Sequence, residues 1–246
     1  MSKIAIIGTG NVGGALGTAL TGAGHQVTFA GRDQAKLAAT AQTAGAAAGT
    51  SAAAAVAGAD VVILAVPYTA IDTVAAEIAG AVGGKVVIDA TNPLKPDYSG
   101  LSTIGGPSGA EHIAALLPSA SVVKAFNTVF ASIQGNSSAH GQVLDGLYAT
   151  DDDAAAATTA GLLSDLGFRP VKVGSLAAAT ELEAMAWLNI RLQMLANGAW
   201  DSAYVLVSPP AAAVACRPPP RERRAAIAPS GVRVYRFARR PPPPRS

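Results

Sequence analysis

Lys3-Ile4-Ala5-Ile6-Ile7-Gly8-Thr9-Gly10-Asn11-Val12-Gly13 is the stretch whose reading decides the fold. Its first five residues form a short, branched apolar run of the kind that makes a buried strand. A helical stretch follows the glycines and ends at Gly22/Gly24, and His25 to Ala30 reads as a second strand. A GxGxxG pattern is weak alone, but between a strand and a helix of one βαβ unit it points to a dinucleotide. Each glycine then has a task. Gly8 permits the tight turn, Gly10 lets a pyrophosphate approach the backbone, and Gly13 lets the helix lie against the strand. The helix start offers free N–H groups and a positive dipole end to phosphates. A Gly-rich turn without a ligand is the competing reading, and the flanking strand and helix weigh against it.

The end of the second strand chooses between dinucleotides. An acidic residue there suits a free ribose 2′-hydroxyl, whereas Arg suits a 2′-phosphate. The acidic position falls on Gly31, Arg32 comes next, and Lys36 lies four residues on, where it would share a helix face with Arg32. Guanidinium and ammonium together make a clamp for a dianionic phosphate. Asp33 also lies within reach of the acidic position, but it reads as the N-cap of the second helix. NADP is therefore expected over NAD.

Composition bounds the rest. The chain has 246 residues, half of them hydrophobic and 14% charged, enough for a large α/β core. Its net charge of +2 averages two unlike pieces. Residues 1–208 carry 9 basic against 15 acidic side chains, while residues 209–246 carry 9 arginines against Glu222 alone. The acidic body has no electrostatic footprint for nucleic acid. Cys216 is the only cysteine, so an intrachain disulfide is excluded and no metal site is expected. No apolar run approaches ~18 residues, and a soluble, cytoplasmic protein without membrane partners is expected.

Strands and helices keep alternating. Helices are expected from Asp33 to about Ala44, Ser51 to Ala57, Thr69 to Ala81, up to Pro118, and Asp153 to Leu166. Strands are expected at Val61–Val66, Lys85–Ala90, Ser121–Phe126, Leu147–Thr150 and Pro170–Val173, with a short strand or turn at Gly45–Gly49. This series predicts a doubly wound parallel sheet with helices on both faces. In such sheets ligands lie at the carboxyl ends of the strands. Three segments leave those ends with an apolar wall beside an amide or hydroxyl: Val66-Pro67-Tyr68, Ala90-Thr91-Asn92-Pro93 and Ala125-Phe126-Asn127-Thr128. Plain turn chemistry would also explain each one singly.

The fingerprint, Gly31-Arg32 with Lys36, Val66-Pro67, Ala90 to Leu94 and Val123 to Thr128 together resemble the coenzyme F420-dependent NADP oxidoreductases, over roughly residues 1–205. The resemblance implies a Rossmann domain with a small C-terminal helical lobe, a homodimer, and hydride transfer between NADP(H) and a deazaflavin or similar small organic acceptor. By position it implies NADP contacts at Thr9, Gly10, Asn11, Val12, Arg32 and Lys36, and near Val66, Pro67 and Ala90. The implied organisation is an NADP-binding domain over 1–174, a helical segment over 175–208 for the acceptor or the dimer contact, and a tail over 209–246. One departure stands out. Where relatives carry a polar and arginine patch before the last helix, this chain has Ala178-Ala179-Thr180.

No catalytic dyad emerges, which suits hydride transfer between stacked rings, a reaction that needs alignment more than acid or base. His25, His112 and His140 read as packing or solvated residues, and Glu181 and Glu183 face different sides of one helix. The segment Leu182 to Trp200 is apolar around much of its circumference and reads as core, dimer face or pocket roof. From Pro209 the chain holds ten of its sixteen prolines, a composition expected to be disordered. Its Arg/Pro/Ala bias also matches a GC-rich coding sequence read out of frame, so no function is assigned to it. A non-catalytic NADP-binding sensor or regulatory module is the other reading of the body.

Overall fold

The computed structural model describes residues 1–103 and 105–207. Its centre is an eight-stranded sheet in the order β3-β2-β1-β4-β5-β6-β7-β8. The strands are β1 (Lys3–Ile7), β2 (Gln26–Ala30), β3 (Ala47–Ala48), β4 (Val61–Leu64), β5 (Val86–Asp89), β6 (Ser121–Ala125), β7 (Asp145–Ala149) and β8 (Arg169–Gly174). The helices are α1 (Asn11–Gly22), α2 (Gln34–Ala44), α3 (Ala52–Ala57), α4 (Ile71–Ile78), α5 (Gly109–Leu116), α6 (Asp153–Asp165) and α7 (Ala179–Ala196).

The two-residue period of the strands sorts the core into two layers. Ile4 and Ile6 of β1, with Val27 and Phe29 of β2, pack on Leu16 and Leu20 of α1. The alternate residues Ala5 and Ile7 join Val62 and Leu64 against Val56, Ile71 and Ile78 on the opposite face. A strand apolar at every position is thus consumed on both sides, as a central parallel strand requires.

The expected doubly wound sheet is present, with one correction. β6 and β7 run antiparallel, while every other neighbouring pair is parallel. Periodicity records burial and is silent on direction, so the reversal was not legible. Helix bounds also shift. The segment expected as a helix from Thr69 begins as a 3-10 turn at Tyr68–Ala70 before α4. The last helix ends at Ala196 rather than Trp200, because Asn197 adopts a left-handed conformation (φ 47°) and closes it.

Beyond α7 the chain returns along the body in extended form. Tyr204 donates its hydroxyl to the Met185 carbonyl at 2.7 Å, and the Leu206 N–H bonds Asp145 Oδ2 at 2.6 Å. Residues Met1–Leu206 pack as one unit that includes α7. Among the described residues no helix is long and apolar enough to cross a membrane. The Pro/Arg-rich segment from Pro209, with Cys216, lies outside the described residues.

Candidate functional site

The order 3-2-1-4-5-6 places the switch point between β1 and β4, where crossovers leave to opposite sides and open a crevice at the strand ends. Gly8 stands there with φ +123°, and a Cβ on it would lie 2.2 Å from the Ala65 carbonyl oxygen. Gly13 packs so closely that its Cβ would lie 2.2 Å from the Gly8 carbonyl oxygen. Both positions therefore require glycine for the turn itself. Gly10 differs, because a Cβ there would meet no protein atom within 4 Å; its face is open to the crevice. Gly10 is also the N-cap of α1, and no side chain caps that helix. The first N–H groups of α1 point into the opening, where an anion would satisfy them.

A cleft of about 1080 Å³ extends from this turn across the end of β2 and includes Gly8, Thr9, Gly31, Arg32, Lys36, Val66 and Pro67. Arg32 is not on a helix as expected: α2 begins at Gln34, so Arg32 stands in the preceding turn and Lys36 in the first helical turn. The two cations nevertheless line the same cleft. Two carboxylates also line it, and both are engaged. Asp33 Oδ1 accepts the Lys36 N–H at 3.0 Å as the N-cap of α2, and Glu77 Oε1 accepts the Ala52 N–H at 3.2 Å. Neither Arg32 nor Lys36 has an ion-pair partner among the described residues, so both cations are left to meet a ligand. These residues fit a phosphorylated dinucleotide: uncapped helix N–H groups for the pyrophosphate, and a cation pair at the end of β2 for a 2′-phosphate.

A second cleft of about 580 Å³ begins on the other side of the α1 start, at Asn11 and Val12, and runs over the ends of β5 and β6. Ala90, Asn92, Asn127 and Thr128 line it, with Ala186 and Asn189 of α7 across from them. Asn127 Nδ2 donates to Asn92 Oδ1 at 3.0 Å, which ties two strand ends together, and to the Leu182 carbonyl of α7 at 3.0 Å. The turn that delivers Asn127 is strained. Phe126 is 2% exposed yet has φ +64°, a backbone state that costs a non-glycine residue roughly 1–3 kcal/mol. Gln134, fully buried, holds the turn by donating Nε2 to the Phe126 and Val129 carbonyls, each at 2.9 Å. The two clefts meet at the Gly10–Val12 turn, as the two halves of a dinucleotide would require.

Comparison with known proteins fits this geometry. The family model for NADP oxidoreductase, coenzyme F420-dependent, matches residues 3–93. The N-terminal region belongs to that family. A solved structure from Arthrobacter sp. FB24, a candidate F420-dependent NADP-reductase, is 27% identical with a TM-score of 0.77, and the match covers 83% of this chain and 99% of that one. A hypothetical protein of Sinorhizobium meliloti is 34% identical with a TM-score of 0.64, over 73% of this chain and 88% of that one. Metalloreductase STEAP3 of Rattus norvegicus is 31% identical over 192 residues, which are 74% of this chain but 36% of the rat protein. The chain thus spans about a third of that relative's length. Over residues 3–93 the chain thus matches that family's model, and its Rossmann-type fold is that of the Arthrobacter structure. The family match ends at Pro93, so it takes in the whole cation-bearing cleft but neither Asn127 nor α7.

Beneath the second cleft lies a cluster that the sequence reading passed over. Lys124 of β6 is fully buried. Its Nζ donates to Asp89 Oδ2 at 2.8 Å and to the Thr91 carbonyl at 2.7 Å, and Glu183 Oε1 of α7 lies 3.1 Å away without hydrogen-bond alignment. The other oxygens are also used, Asp89 Oδ1 by the Thr91 N–H at 2.8 Å and Glu183 Oε2 by the Gly109 N–H at 3.2 Å. One ammonium therefore fixes the β5 exit loop that carries Ala90 and Asn92, and docks α7 above it. Tyr68 borders the same charges. Burial, then the Glu183 and Asp89 carboxylates, raise its phenol above the ordinary value, so it stays protonated at neutral pH. The signal available in the sequence was a lysine inside an otherwise apolar strand, Val122-Val123-Lys124-Ala125, which must find carboxylate partners. The histidines lie elsewhere. His25 is buried against Ser2 and Asp165, and His112 pairs with Asp72 at 2.6 Å. Among the described residues no group of His, Cys, Asp and Glu is placed to hold a metal.

Proposed function

We propose that the chain is an NADPH-dependent reductase that passes hydride between NADP(H) and a deazaflavin such as coenzyme F420 or a similar small organic acceptor. The observation that carries this is the meeting of two unlike clefts at the uncapped start of α1, one lined by charged side chains and one by uncharged ones. In this reading the Gly8–Gly13 turn and the α1 N–H groups hold the pyrophosphate, while Gly31 leaves room beside the ribose. Arg32 and Lys36 take the 2′-phosphate, and Val66 and Pro67 wall the passage toward the second cleft. Ala90 and Asn92 flank the reacting ring, and Asn127 fixes Asn92. When bound, the reduced nicotinamide supplies the hydride. The residues around it align the two partners and keep bulk water out, which is the larger part of the work in such a transfer. Residues 1–174 then form the NADP-binding part, and 175–208 complete the acceptor side.

The test follows NADPH oxidation by absorbance, with oxidised F420 and, beside it, ring acceptors that lack its charged tail. Reduction with NADPH and little with NADH is the expected outcome. Tight NADPH binding with no hydride transfer to any ring would make the chain a non-catalytic NADP-binding module instead. A homodimer is part of the same proposal. Leu188, Leu192 and Leu195 lie on one face of α7 at 50%, 52% and 80% exposure, an apolar stripe suited to a second copy. A monomer in sedimentation at micromolar concentration would contradict it.

A further inference from the structure

The two clefts differ in one respect that bears on the second substrate. The dinucleotide cleft carries Arg32, Lys36, Asp33 and Glu77, whereas every described residue lining the second cleft is uncharged at neutral pH. Its rings come from Tyr98, Phe126, Phe130 and Trp200, and its polar groups are neutral amides and hydroxyls such as Asn92, Asn127 and Asn189. Those amides are already engaged with one another and with the chain: Asn92 with Asn127, and Asn189 Nδ2 with the Ser202 carbonyl at 3.2 Å. The orientation of Asn127 is fixed, because the Leu182 carbonyl can only accept and must face the NH₂ group. Asn127, which lines the cleft, thus keeps its Oδ1 turned elsewhere, buried and without a hydrogen-bond partner. An anion placed here would lose its hydration and gain no cation in return.

Two aromatic rings stand at the mouth. Trp200 and Tyr98 are both held in left-handed backbone conformations, φ 57° and 54°, and remain 43% and 55% exposed at the opening. Trp200 stands edge-on to Phe130, 5.5 Å between ring centres, and its backbone N–H donates to Gln193 Oε1 at 2.9 Å. Its carbonyl accepts from Ser132 Oγ, so the backbone that carries the ring is held on both sides. Rings anchored in this way present faces and edges to a planar guest at small entropic cost.

We propose that the second cleft selects an uncharged, flat ring acceptor of the quinone kind, and discriminates against acceptors that bring a charge into it. This rests on the reading of the first cleft as the NADPH site. A quinone gains the hydride that leaves the dihydronicotinamide and one proton from water, and departs as the hydroquinone beside NADP⁺. The same neutrality disfavours any acceptor whose phosphate or carboxylates would have to enter the cleft.

The chain contains two tryptophans, and only Trp200 lines the cleft. A full-length Trp187→Phe variant therefore leaves one fluorescent reporter in place. With NADP⁺ present, its quenching is titrated with 1,4-naphthoquinone and with the 2-sulfonate of the same ring. The sulfonate is the stronger oxidant, so intrinsic reactivity favours it and any preference for the neutral ring comes from the protein. The neutral quinone is expected to bind at least about tenfold tighter and to show the same preference in kcat/KM for NADPH oxidation, blank-corrected. Ala131→Lys, which sets an ammonium at the rim and leaves the Ser132 bond to Trp200 in place, should raise sulfonate affinity severalfold. Equal binding of the two rings, or no quenching by either while NADPH binding persists, would overturn the inference alone. Failure of NADPH itself to bind, read from its own fluorescence, would overturn the reading of the first cleft and this inference with it.

Discussion

Arg32→Ala is expected to weaken NADPH binding by about 30-fold while changing NADH binding by less than about threefold, since a hydrogen-bonded contact to a charged group is worth about 2 kcal/mol. The direction follows from the cleft's own charges. Asp33 and Glu77 keep their charges but are held by backbone N–H groups, which leaves Arg32 and Lys36 without an ion-pair partner among the described residues. A 2′-phosphate is the part of NADPH that NADH lacks, so a residue that reads it changes one affinity and spares the other. Lys36→Ala should act the same way but more weakly, because an ammonium offers a point charge where a guanidinium offers a two-pronged contact. The double variant should bind the two dinucleotides alike. Both cations are exposed, so the NADPH-specific loss should shrink as salt is raised. A parallel fall in both affinities would mean that Arg32 holds the turn and does not read the phosphate.

The largest expected effect on stability is at Lys124. Replacing it with Met should lower the unfolding free energy by about 4 kcal/mol, as removal of one member of a buried ion cluster does. In a domain of this size that is a fall of roughly 10 °C in the melting temperature. Methionine fills the space of the lysine stem but leaves Asp89 and Glu183 facing each other with no cation between them. The Thr91 carbonyl also loses its donor. The control is the triple change Lys124→Met, Asp89→Asn and Glu183→Gln, which removes the charges together and should recover about half of the loss. Urea unfolding of the three proteins decides it. If the single variant loses less than about 1 kcal/mol, the cluster does not hold α7 to the sheet.

Why the first cleft could be read from sequence and the second could not is a matter of chain distance. Gly8, Gly10, Gly13, Arg32 and Lys36 fall within twenty-nine consecutive residues of one βαβ unit, whose geometry is set by local rules. The N-cap role of Asp33 was legible for the same reason, since its bond to Lys36 spans three residues. The helix face expected for Arg32 was not, because the cap at Asp33 starts the helix at Gln34, two residues past Arg32. The second cleft depends on contacts over long separations: Asn92 with Asn127, Asn127 with Leu182, and Lys124 with Glu183. The segments that leave the strands were recognisable as strand ends. Nothing in their spacing revealed that Phe126 adopts a left-handed turn, or that a buried lysine links them to α7. Likewise the antiparallel step from β6 to β7 is a property of the loop between them, not of either strand's pattern.

The most direct measurement is a fluorescence titration of the full chain with NADPH and, in parallel, with NADH at low salt. The account predicts saturable binding of both with at least about tenfold preference for NADPH, carried by the phosphate contact at Arg32 and Lys36. Equal affinities, or a preference for NADH, would contradict it and would return the end of β2 to ordinary solvated surface.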